Sequence, residues 1–87
     1  MKTLSVTIID PIGIHARPAS AITQTASKFK SNITFKSNEK KGNAKSVINL
    51  MALGIKKDAV IEIIVEGDDE QEAIDALKET MTKEKLI

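Results

Sequence analysis

The stretch LSVTIIDPIGIHARPASAITQTASKF, residues 4–29, decides how this chain folds. Its opening alternates, with Leu4, Val6 and Ile8 apolar and Ser5 and Thr7 polar, the two-residue period of a strand with one buried face. Asp10-Pro11 and Gly13 break that pattern and mark a loop. Past the break the period changes. Ala19, Ile22, Ala26 and Phe29 recur at three- and four-residue spacing, which predicts a helix from about Ala16 to Phe29 with one apolar face. Pro18 falls in its first turn, where a missing N–H costs nothing.

Working outward, residues 32–36 predict a second strand, with Ile33 and Phe35 on one side. The polar run Ser37–Asn43 holds a turn and a short strand whose lysines suit an exposed sheet edge. Ser46 is a plausible helix N-cap ahead of Val47, Ile48, Leu50, Met51 and Leu53, and Gly54 is a natural stop. Residues 60–66 form the most strand-like segment, with Ile61, Ile63 and Val65 set against Glu62 and Glu66. Asp68, Asp69 and Glu70 crowd the start of a last helix, where acids complement the dipole. Ala73, Ile74, Leu77 and Met81 make its buried stripe, and Lys83 and Lys85 lie near its end. Strand, helix, strand, strand, helix, strand, helix predicts an α+β layer with helices covering one face of a sheet. Strand order does not follow from the pattern.

With 87 residues there is room for one core and no deep substrate cavity, so chemistry belongs on the surface. A net charge of +1 gives no general attraction to nucleic acid or an anionic membrane. The absence of cysteine excludes disulfides and thiolate metal sites and fits a reducing compartment. MKTLSVTIID lacks an unbroken apolar stretch, so neither a secretory signal nor a membrane span is expected, and cytoplasm is the expected location.

His15 is the sole histidine, and it stands just before the first predicted helical turn. Free backbone N–H groups at a helix start attract phosphate, and a neutral imidazole nitrogen beside them is a nucleophile. Arg17 adds a planar guanidinium suited to phosphate oxygens. A nitrogen nucleophile beside anion-binding donors suits a group that takes up a phosphoryl. No second acid or base and no metal-ligand set accompany it in the sequence, so a carrier fits better than a hydrolase, which must activate water. The competing reading is a capping or surface histidine beside a solvated arginine.

GIHARPAS, residues 13–20, resembles the active-site motif of the HPr family, the histidine-containing phosphocarriers of the bacterial phosphoenolpyruvate:sugar phosphotransferase system. KSVINLMALGI, residues 45–55, resembles that family's second signature, a regulatory serine and its helix. Element order and length agree, so the likeness spans the chain as one domain, 1–87. It implies an open-faced β-sandwich, four antiparallel strands in the order 1-4-2-3 with three helices on one face. It implies that His15 takes phosphate on Nδ1 from phosphorylated enzyme I and passes it to sugar-specific IIA domains. Arg17 would steady the group, with the backbone of Ala16 and Arg17 holding it. Ser46 would be the target of an ATP-dependent HPr kinase/phosphorylase, and the modified form a corepressor for a transcription regulator. Ser20, Val47, Ile48 and Met51 would contact partners, methionine suiting a surface that serves several. The implied protein is a monomeric carrier rather than an enzyme, with no cofactor, no metal and no nucleic acid or membrane partner.

The chain departs from the family pattern at three positions: Gln24 where a basic residue is common, Ile48 for methionine, and Asn49 for glycine. Gln24 removes a charge from the implied docking face. Two rivals are weaker. Residues 42–46, GNAKS, fail as a nucleotide-binding loop because Ala44 stands where glycine is needed. A nucleic-acid module would draw on the lysines, yet with no Tyr or Trp and only two Phe there is little on which bases could stack. A purely regulatory relative acting through Ser46 alone would lack the active-site histidine, which is intact here.

Overall fold

The computed structural model describes all 87 residues. The elements are β1 (Lys2–Thr7), α1 (Ala16–Ala26), β2 (Asn32–Ser37), β3 (Lys40–Asn43), α2 (Val47–Ala52), β4 (Val60–Glu66) and α3 (Glu70–Lys83). The strands form one antiparallel sheet in the order β1-β4-β2-β3. The expected α+β sandwich is therefore the observed one, and β4, the most strand-like segment, lies at its centre beside β2.

Register explains which face is covered. Leu4 pairs with Ile63 and Val6 with Ile61. Across the other side of β4, Ile33 pairs with Val65 and Phe35 with Ile63. Because side chains alternate in a strand, all of these project to one face, and Ile33, Phe35, Ile61, Ile63 and Val65 are buried there. Thr3, Ser5, Glu62, Thr34 and Lys36 take the opposite face. The helices supply the matching apolar stripes: Ala19, Ile22 and Ala26 from α1, Leu50 from α2, and Ala73, Leu77 and Met81 from α3. Hydroxyls reinforce the layer, Thr25 Oγ1 lying 2.7 Å from Thr80 Oγ1 between α1 and α3.

One helix boundary differs from expectation and another agrees with it. The helix predicted to reach Phe29 ends at Ala26. The chain tightens into three-residue bonds there, Lys28 N–H to the Thr25 carbonyl and Phe29 N–H to the Ala26 carbonyl. Phe29 still packs against the core, so the apolar spacing was correct about burial and wrong about conformation. Its carbonyl accepts the ammonium of Lys45 at 2.7 Å, an end cap supplied from 16 residues away. The second helix stops where glycine was expected to stop it. Gly54 has φ +63, and its N–H reaches the Met51 carbonyl.

Candidate functional site

Asp10 organises the loop that presents His15. Its Oδ1 accepts from the N–H of Ile12 at 2.8 Å and of Gly13 at 3.2 Å, closing an Asx-type turn. Gly13 then takes φ +88 and lies against the Ile55 carbonyl, where a Cβ would sit only 2.2 Å from the oxygen. Ile14 N–H donates to that same carbonyl at 3.0 Å, and its side chain is buried. The next residue, His15, is thereby held at the N-cap position of α1 in extended conformation, φ −112 and ψ −171.

At this N-cap the imidazole makes no capping bond. The first helical bond runs from Ala19 N–H to the His15 carbonyl. Ala16 and Arg17, in the first turn, have no helical carbonyl four residues back, so their amides meet no partner in the chain, and Pro18 beside them has no N–H to satisfy. His15 is half-buried, Ala16 and Arg17 are exposed, and Ser20 is half-buried one turn on. The expected cluster of an imidazole, two free amides and a guanidinium is thus brought to one end of α1.

Sequence reasoning missed the other wall. A shallow polar cleft of about 360 Å³ is lined by Asp10, His15, Arg17, Pro18, Lys83, Glu84 and Lys85. The α3 terminus gets there through a Schellman motif. Leu86 N–H bonds to the Met81 carbonyl and Lys85 N–H to the Thr82 carbonyl, with Lys85 left-handed at φ 59. Leu86 is thereby driven into the core while the charged residues before it face His15. The usual signal for this motif, a glycine past the helix end, is absent here. Two carboxylates therefore line the cleft where the sequence placed none. Asp10 is engaged in the loop, and neither is hydrogen-bonded to His15. Arg17, Lys83 and Lys85 outnumber Asp10 and Glu84 by one charge, and Lys83 is itself paired with Glu79 at 3.5 Å, so Arg17 and Lys85 are the cations left for a bound anion. No three histidine, cysteine, aspartate or glutamate side chains converge as a metal site, and no helix is long and apolar enough to cross a membrane.

The second motif behaves as capping chemistry predicts. Ser46 is the N-cap of α2, φ −128 and ψ 117, and its Oγ accepts from Asn49 N–H at 3.3 Å. Leu50 and Leu53 are buried, whereas Ile48 is 80% and Met51 45% exposed. Val47, expected beside them on the outer patch, is half-buried and packed against the core. Gln24 lies exposed on α1.

Residues 2–83 match the family described as PTS HPr component phosphorylation site. Phosphocarrier protein HPr of Mycoplasma pneumoniae is 50% identical over 88 residues, covering all of both chains. Its counterpart in Mycoplasma capricolum subsp. capricolum is 49% identical, covering 100% of this chain and 98% of that one. A solved histidine-containing phosphocarrier protein of Mycoplasma superposes with TM-score 0.97 at 49% identity, covering 99% of this chain and 98% of the other. The half-buried imidazole, the free amides beside it and the full-length likeness lead to one conclusion: this chain belongs to the HPr family, the phosphocarriers of the phosphotransferase system.

Proposed function

We propose that His15 is the phosphoryl acceptor, loaded by phosphorylated enzyme I and unloaded to sugar-specific IIA domains. The observation that carries this reading is the pair of unpartnered amides, Ala16 and Arg17, next to the half-buried ring. In the transfer the Nδ1 lone pair attacks phosphorus, and the N–P bond forms as the bond to the donor breaks. The phosphoryl oxygens then meet the two N–H groups, with the Arg17 guanidinium closing over them. Delivery to the next protein is the same displacement with the imidazole as leaving group. The exposed Ile48 and Met51 supply apolar contact for docking, with Ser20 beside the ring on α1. The whole chain acts as this one unit.

Ser46 is a regulatory site in the same reading, phosphorylated by an ATP-dependent kinase, and the modified form engages a transcription regulator. A dianion at the start of α2 is tolerated by the fold and repels an acidic docking surface. The test is incubation with enzyme I and phosphoenolpyruvate. Acid-labile, base-stable phosphate is expected, the signature of a phosphoramidate, and His15→Ala removes it while unfolding as before. Unchanged uptake in that variant overturns the assignment. Ser46→Asp is expected to slow uptake through a higher KM for enzyme I.

A further inference from the structure

Ser46 Oγ is held by more than a backbone cap. The side-chain Nδ2 of Asn49 donates to it at 3.0 Å, alongside the Asn49 N–H at 3.3 Å. The other end of that carboxamide is fixed as well, Asn49 Oδ1 accepting the Asn43 N–H at 3.4 Å. Asn43 Oδ1 in turn accepts from Lys45 N–H at 2.9 Å, and the Asn43 carbonyl accepts the Ser46 N–H at 3.0 Å. The serine thus sits inside a ring of bonds closed by two asparagines. Asn49 itself is exposed, so packing does not explain its orientation; its partners do.

We infer that Asn49 is a positioning residue for modification of Ser46: its carboxamide aims the hydroxyl outward and then donates to the phosphoryl group attached there. This rests on Ser46 being a phosphorylation site. A hydroxyl oxygen has two lone pairs and one proton. With both lone pairs facing Asn49 donors, the proton is what Ser46 offers to an approaching base. Removal of that proton puts charge on Oγ, and the two donors are already in place to stabilise it without reorganisation. The third lone pair, freed along the former O–H direction, points at the incoming phosphorus. The Oγ–P bond forms, a phosphoanhydride bond of the nucleoside triphosphate breaks, the nucleoside diphosphate leaves, and the proton stays with the base of the modifying enzyme. Nδ2–H then lies within reach of a phosphoryl oxygen. Of the nearby cations, Lys45 is engaged with the Phe29 carbonyl, and Lys41 lines the cleft it shares with Asn43 and Asn49, which makes the carboxamide the donor already aimed at Ser46.

The experiment uses the full chain with phosphoserine installed at position 46 during synthesis, so it does not depend on any kinase. A phosphorus NMR titration then follows the phosphate's second ionisation in the parent, Asn49→Ala and Asn49→Asp. A donor to the dianion lowers that midpoint, so Asn49→Ala is expected to raise it by about half a unit and Asn49→Asp to raise it further. Amide spectra establish that α2 persists in each variant, which separates loss of the donor from loss of the helix. Identical midpoints in all three overturn the role of Asn49. Failure of a kinase and ATP to modify Ser46 in the parent would instead overturn the reading of Ser46, whatever the titration shows.

Discussion

Ile14 donates its backbone N–H to the carbonyl of Ile55 at 3.0 Å, joining the loop that carries His15 to the segment leaving α2. The approach is so close that the preceding residue has no room for a side chain. Gly13→Ala is therefore doubly disfavoured, by φ +88 and by a Cβ placed 2.2 Å from the Ile55 oxygen. We expect a loss of about 2–4 kcal/mol, read from urea unfolding, from strain and displaced packing together. Phosphate uptake should fall as well, since the displaced turn is the one that orients the imidazole. A variant within about 0.5 kcal/mol of the parent would mean the loop yields freely.

Periodicity carried the strands because their pattern is local. Ile61, Ile63 and Val65 alternate whatever surrounds them, and Ser46 caps by reaching three residues along its own chain. The features that escaped are those in which distant residues meet. Phe29 is apolar at helical spacing, yet its backbone bonds to a tighter turn and its carbonyl takes Lys45. Lys83, Glu84 and Lys85 face His15 because Leu86 must enter the core, a consequence of closure rather than of spacing. Asn49 reads in the sequence only as a departure from glycine, since its value lies in what its carboxamide touches.

Lys85 tests the closure directly. A lysine at φ 59 carries the left-handed penalty that glycine avoids. Lys85→Gly should therefore stabilise the chain by roughly 0.5–1 kcal/mol, reduced by glycine's greater freedom when unfolded, and raise Tm by a few degrees. The same change removes a cation from the His15 cleft, so uptake of phosphate should slow while stability rises. Parallel changes in the two properties would argue that Lys85 acts on the site only through the fold.

Neighbouring residues of α2 should respond in opposite ways. Leu50 is fully buried, and Leu50→Ala should cost about 2–5 kcal/mol through lost contacts and a cavity. Ile48 is 80% exposed, so Ile48→Ser should change stability by no more than about 0.5 kcal/mol. Its effect belongs to docking, as a several-fold rise in KM for enzyme I with kcat retained. A large stability loss at Ile48, or an unchanged KM, would remove it from the docking surface.

The last test is acid titration of the tie between α3 and the start of β2. Asp69 stands at the N-cap of α3 but does not cap it. Its carboxylate reaches instead to the Ser31 hydroxyl, and accepts the N–H of Lys30 at 2.8 Å and of Ser31 at 3.0 Å. The Ser31 hydroxyl first, then the Lys30 amide, hold this carboxyl below its ordinary value of 3.8, against a weaker upward push from desolvation. Glu70 is likewise held below 4.5, first by the Met1 ammonium 3.0 Å away and then by the Gly67 N–H. Carboxyls lowered in the folded state bind protons more readily once unfolded. Their contribution is complete above the unfolded values and disappears as pH falls through the lower folded ones. Urea midpoints should therefore hold from pH 7 down to about 5 and decline below 4.5. Asp69→Asn keeps one acceptor and loses the charge, so it should be less stable at pH 7 and fall less steeply below pH 4. Curves for the two proteins that stay parallel through that range would show that Asp69 is not the group being titrated.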